Sequence, residues 1–141
     1  MGVEHRLEFV CKVNDRIFYN DTEATNIKCT QIALASFTEP TIVLLGGLER
    51  GQKFTDLEPF CKNVKAIVAM GECKERVKDF GESLNIPTSV CDYITDATEN
   101  AYEISSPGDV ILLSPGSASW DQFKQCEDRG DLFKETTRKF N

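Results

Sequence analysis

Histidine is nearly missing from this chain: there is one, His5, close to the amino end. A Ser-His-Asp hydrolase needs an imidazole beside its nucleophile, and the strand-to-helix elbow G-x-S-x-G is also absent, which argues against that chemistry. Basic residues are scarce. Sixteen Lys and Arg stand against 23 Asp and Glu, a net charge of −7, which argues against broad nucleic-acid binding, since that needs a basic face. A small anionic ligand asks for less, one or two well-placed cations. No apolar run approaches the roughly 20 residues of a membrane-spanning helix. The start Met1-Gly2-Val3-Glu4-His5-Arg6 has no signal-peptide core, and a myristoylation reading of Gly2 fails at Arg6, where Ser or Thr is wanted. A cytoplasmic protein is expected.

Close cysteine pairs are absent too. Cys11, Cys29, Cys61, Cys73, Cys91 and Cys126 are scattered with no C-x-x-C among them, so neither a zinc site nor a disulfide scaffold is indicated. Four of the six fall on apolar stripes and read as buried free thiols. The expectation is no disulfide and no bound metal. Neither G-x-x-x-x-G-K-[ST] nor G-x-G-x-x-G occurs, so the chain has no phosphate-gripping loop of its own.

What remains is a length of 141 residues, expected as a single domain over 1–141, with an orderly alternation of patterns. Leu7, Phe9 and Cys11 alternate with polar or small residues, Ile17-Phe18-Tyr19 is β-prone, and Asn14-Asp15 turns between them, predicting a hairpin over 7–20. Cys29, Ile32, Ala33, Ser36 and Phe37 predict one face of a helix, stopped by Pro40. Thr41–Leu45 is a continuous apolar run, the mark of a strand covered on both faces. Strands follow at 64–70, 87–91 and 110–113. Helical stripes run through Cys73, Val77, Phe80 and Leu84, and through Ile94, Ala97, Ala101 and Ile104. Residues 118–140 are expected to be largely helical. Strand alternating with helix predicts an α/β fold: a Rossmann-like three-layer sandwich, its mainly parallel sheet flanked by helices, with the amino-terminal β-hairpin at an edge.

In such sheets ligands bind beyond the carboxyl ends of the strands. Three loops leave those ends. Residues 19–26 (YNDTEATN) carry short polar side chains suited to capping a helix and meeting a carboxylate or phosphate. Residues 46–54 (GGLERGQKF) combine two glycines, which let backbone approach a ligand, with the cations Arg50 and Lys53. Residues 112–123 (LLSPGSASWDQF) bring Ser117 and Ser119 to the next helix.

In order, the segments HRLEFV (5–10), FYNDTEATN (18–26), LLGGLERGQKF (44–54), GDVILLSPGSASWDQF (108–123) and EDRGDLF (127–133) resemble the C-terminal domain of the D-glutamate-adding Mur ligases of peptidoglycan synthesis. The resemblance spans essentially the whole chain. It implies a three-domain, ATP-dependent acid–amino-acid ligase in which N-terminal and central domains, absent here, hold the UDP-sugar and most of the ATP and Mg2+. The substrate UDP-N-acetylmuramoyl-L-alanine is activated as an acyl phosphate and attacked by the amine of D-glutamate. The resemblance implies that this domain supplies the D-glutamate site and closes over ATP, and by itself it is expected to be inactive. By position, the resemblance places Arg6 and Asp21 near the nucleotide, Thr25 and Arg50 near one carboxylate of D-glutamate, and Ser119 and Trp120 near the other. It implies no catalytic residue in this domain, no metal ligand, and no nucleic-acid or membrane partner. The chain departs from the family pattern at Thr22 and Glu23, where Ser-Lys is usual, at Gly116-Ser117, and at Cys126, often aromatic. Glu23 motivates the alternative, a non-catalytic binding or regulatory module descended from the ligase.

Overall fold

A computed structural model describes residues 3–140; Met1 and Gly2, on which the signal and myristoylation readings partly rest, lie outside the described residues. The elements run β1 (Glu8–Val13), β2 (Arg16–Asn20), α1 (Ile27–Ala35), β3 (Thr41–Leu45), a 3₁₀ helix (Phe54–Phe60), β4 (Val64–Ala69), α2 (Lys74–Ser83), β5 (Thr88–Val90), α3 (Ile94–Ile104), β6 (Val110–Leu113), α4 (Cys126–Thr137) and a last 3₁₀ turn (Arg138–Phe140). The six strands form one sheet in the order β1-β2-β6-β3-β4-β5. Only β1 is antiparallel, joined to β2 by the expected hairpin, and every other neighbouring pair is parallel.

The central strands are apolar along their whole length because each face meets its own layer of helices. Ile42 and Leu44 of β3, with Ile111 and Leu113 of β6, pack against Ile94, Ala97 and Ala101 of α3 and Phe133 of α4. Their alternates Val43, Leu45, Val110 and Leu112 pack against Ala33 and Leu34 of α1, Val77 and Phe80 of α2, and Phe54 and Leu57 of the 3₁₀ helix. Period-2 alternation along the strands thus divides one sheet between two cores. Among the described residues no helix is long and apolar enough to cross a membrane.

Several sequence expectations are corrected. The buried face of α1 is Thr30, Ala33 and Leu34; Ile32, expected on it, is 58% exposed. The error is one of register, because Leu34 lies on the inner face that the proposed stripe skipped. Residues 118–125 are irregular rather than helical, and α4 begins only at Cys126. The run of small residues there gives little helical drive, and Ser119 O instead accepts from the amides of Gln122 and Phe123. The 3₁₀ helix, which runs through Pro59, was not foreseen. Of the six thiols, all unpaired, Cys73 alone is fully buried and the other five are half-buried.

Candidate functional site

The loops after β2, β3 and β6 meet at the carboxyl edge of the sheet, where parallel strands bring their ends side by side. Their backbones are sewn together. Gly116 N donates to Ala24 O at 2.8 Å, Gly46 N to Pro115 O at 2.9 Å and Leu48 N to Ala118 O at 2.9 Å. The third loop is therefore the hub on which the other two rest.

On the first loop, Asp21 is almost fully buried. Its two carboxylate oxygens accept from Leu7 N at 3.0 Å and from Ser114 Oγ at 2.9 Å. Burial pushes its carboxyl up, against the lowering effect of these hydrogen bonds and of Arg6. Arg6 lies on a bend in which His5 and Leu7 take positive φ values of 68° and 45°, a conformation costly for side-chain-bearing residues. Arg6, Asp21 and Glu23 border a cavity of about 400 Å³ whose remaining wall is largely apolar, with Val3, Leu7, Ala24 and Ile32. Arg6 and Asp21, expected together from the sequence, are thus brought to one cavity.

The α1 helix starts after Asn26, whose Oδ1 accepts from Cys29 N at 2.9 Å. Thr25 precedes this cap and is exposed, with its amide closing a turn on Glu23 O. Glu23 lies three residues before the cap and outside the first turn, where the pull of the helix dipole has weakened. It is half-buried beside Cys126 and Glu127, with the ligand atoms of the three within 4.8 Å of one another. Burial raises the Cys126 thiol, and the charges of Glu23 and Glu127 raise it further.

On the second loop, the Arg50 guanidinium stands 5.3 Å over the ring of Trp120, a cation–π distance. Two of the expected D-glutamate residues therefore touch, although 61% of Trp120 remains exposed. The loop is clamped from behind. Arg76 grips Glu49 through Nε at 2.9 Å and Nη2 at 2.6 Å, and this pairing holds the Glu49 carboxyl below its ordinary range. Gln52 Nε2 then bridges Leu48 O and Ser117 Oγ, at 3.0 and 2.7 Å. Ser119 is 1% exposed, and its Oγ is enclosed with no protein partner. Thr25 makes no side-chain hydrogen bond to these residues; its loop is tied to theirs by the backbone link from Ala24 to Gly116 and by Ser114 Oγ on Asp21.

Sequence reasoning missed Arg129. This α4 side chain is 3% exposed and reaches back under the site. Its Nε donates to Thr22 Oγ1 at 2.9 Å, and Nη2 to Thr22 O and Ser117 O, both at 3.0 Å. Burial pushes its pKa down to about 10, which leaves it charged at neutral pH. The only signal in the sequence was its place in EDRGDLF, a stretch that periodicity treats as ordinary helix.

No protein-family model matches the chain. Over 139 residues, 98% of its length, it is 50% identical to the UDP-N-acetylmuramoylalanine--D-glutamate ligase of Bacillus thuringiensis strain Al Hakam, and equally to that of Bacillus anthracis strain A0248. The chain spans 31% of the length of these curated relatives. Among solved structures, the murein peptide ligase of Psychrobacter arcticus superposes with a TM-score of 0.63 at 12% identity, over 99% of this chain and 29% of that one. A MurF ligase from Thermotoga maritima in complex with ADP gives a TM-score of 0.60 at 16% identity, over 98% of this chain and 32% of that one. At such identities these structures support the fold alone.

Proposed function

The chain is homologous to the C-terminal part of the D-glutamate-adding Mur ligases, and from that premise we propose that it is the third domain of such an enzyme. The observation that carries the reading is the 50% identity over 98% of the chain; the grouping of Arg50, Trp120 and Ser119 on interlocked loops supports it.

In this reading D-glutamate lies across the carboxyl edge of the sheet. One carboxylate is met by Arg50 and Thr25, where a guanidinium can hydrogen-bond both oxygens. The other is met at Ser119 and Trp120; the Ser119 hydroxyl, enclosed and without a protein partner, has a hydrogen bond still to make, and this contact requires its loop to shift. Arg6 and Asp21 serve the nucleotide side: their cavity offers an apolar wall for a base and a cation and carboxylate for its polar part, so the residues fit ATP. When bound with Mg2+, ATP supplies the phosphoryl group that activates the carboxylate of UDP-N-acetylmuramoyl-L-alanine. The residues that grip the phosphates and the UDP-sugar belong to domains outside this chain, and the role of this one is to bind and orient the incoming amino acid. Peptidoglycan assembly, in the cytoplasm, is the setting this implies.

The test is domain exchange. The chain alone should release no phosphate in the presence of ATP, D-glutamate and UDP-N-acetylmuramoyl-L-alanine. Grafted in place of the matching third of the Bacillus thuringiensis relative, it should restore release that depends on both substrates. A folded graft without turnover, or turnover by the chain alone, would overturn the reading.

The non-catalytic alternative draws on the position of Glu23 beside Glu127 and Cys126, since this acidic patch adjoins the loop that would meet a carboxylate. Like charges about 6 Å apart repel by roughly 3 kcal/mol at an effective dielectric near 20, less where solvated. Glu23→Lys in the graft is therefore expected to lower the Michaelis constant for D-glutamate by about threefold or more, with a smaller gain at high salt. Facing Glu127, the lysine should also stabilise the domain slightly. An unchanged or raised constant would show that Glu23 does not act on the ligand through its charge.

A further inference from the structure

Arg129 is buried, charged and without a carboxylate partner: none of the ion pairs among the described residues includes it. One of its guanidinium nitrogens, Nη1, has no protein partner at all. Burying a charge is unfavourable, and with Asp121 favouring it only from beyond ion-pair distance, the bonds that it does make must hold it in place. Those bonds converge on two loops. Thr22 opens the segment that carries Thr25, and Ser117 opens the one that carries Ser119 and Trp120. A single Nη2 spans the carbonyls of both, at 3.0 Å each, while Nε takes the Thr22 hydroxyl at 2.9 Å. The Thr22 hydroxyl in turn donates to Cys126 O at 2.8 Å, tying the loop to the start of α4.

We propose that Arg129 is a positioning residue: its planar fork fixes the spacing between the two loops that face the two ends of the dicarboxylate ligand. The proposal rests on the ligase reading for the identity of that ligand, but the brace itself is a property of this chain. It acts through geometry rather than through charge. The rigid fork is what reaches two carbonyls and a hydroxyl at once; a lysine would keep the charge but present a single point of donation. Backing comes from Gly47, whose lack of a side chain makes room for the guanidinium: a Cβ there would lie 3.1 Å from Nη1.

Two measurements on Arg129→Lys test it. In the chain alone, amide hydrogen exchange at 22–26 and 117–120 should speed up about tenfold or more, while the amides of β3, β4 and β6 keep their protection, since local opening and global unfolding are separable. In the grafted ligase, the Michaelis constant for D-glutamate should rise about tenfold, the loss expected for charged hydrogen bonds given up, while that for ATP stays within about twofold. A residue that merely held α4 to the sheet would not separate the two constants. Should the sheet amides also lose protection, the same criteria pass to Thr22→Val, which removes the Nε contact and the bond to Cys126 O but leaves both carbonyl bonds of the fork, and a smaller change in the same direction is expected. Loops as protected as in the parent chain, or Michaelis constants that rise together, would overturn the proposal. If the unsubstituted graft ligates nothing, the ligase reading fails while the exchange result still decides the brace.

Discussion

Gly46→Ala is expected to lower the melting temperature by roughly 10 °C, at the few degrees per kcal/mol usual for a chain of this size. Gly46 ends β3 with a φ of +120°, and a Cβ built there would lie 2.2 Å from the carbonyl oxygen of Met70. The obstacle is backbone just past the end of β4, which has no rotamer to change. The clash, added to the strained φ, should cost about 3 kcal/mol or more. The effect should reach the site as well, because Gly46 N holds Pro115 O and Leu48 N, two residues on, holds Ala118 O. Displacing this turn moves the loop of Arg50 away from the loop of Trp120. Gly51→Ala is the control. Gly51 also has a positive φ, +70°, but opens on empty space, so only the left-handed backbone penalty of about 1–2 kcal/mol applies. Thermal melts of the two variants should differ clearly; equal melting temperatures would mean that β3 and β4 can part without cost.

Arg50→Ala in the grafted ligase should raise the Michaelis constant for D-glutamate by about 10- to 100-fold, the range set by a charge-assisted hydrogen bond of roughly 1.5–3 kcal/mol. Stability should hardly move, since Arg50 is exposed and surface substitutions rarely cost more than about 0.5 kcal/mol. Arg50→Lys should fall between, keeping the charge but losing the flat contact with Trp120. The same contact offers a direct readout. Trp120 is the sole tryptophan, so its fluorescence reports the departure of the guanidinium in Arg50→Ala and any rearrangement as D-glutamate is titrated. If Arg50→Ala binds D-glutamate within about twofold of the parent, by a cycle in which tenfold corresponds to 1.4 kcal/mol, Arg50 does not meet the ligand.

The middle of the sheet was readable from sequence because its demands are local. Thr41–Leu45 and Val110–Leu113 are buried at every position, and only a strand covered on both faces has reason to be apolar throughout. The hairpin was readable from Asn14-Asp15, both of which take positive φ in the structure. Where the pattern weakened, the reading slipped: α1 in register at Ile32, the 3₁₀ helix around Pro59, and the irregular stretch before Cys126. The site was less readable for a different reason. The loops that carry it could be placed by the rule that ligands sit at strand ends, but the individual residues came from resemblance. Arg50 meeting Trp120 and Arg129 reaching Thr22, 107 positions away in the chain, are products of tertiary packing that no local periodicity encodes.

The strand order also sets a timetable for synthesis. Strand β6, made late, inserts between β2 and β3, made early, and Asp21 finds its partner Ser114 only 93 residues further along. Until Leu113 has left the ribosome, the nascent chain lacks the one strand that joins the hairpin to β3, β4 and β5. The apolar edge of β3 then has no partner strand on that side, and sequence-distant pairing of this kind is slow and exposed to aggregation. The emerging protein should therefore depend on chaperones most between the appearance of β3 and the arrival of β6, and a ribosome stalled before residue 110 should display a protease-sensitive chain whose ligand-facing edge has yet to exist.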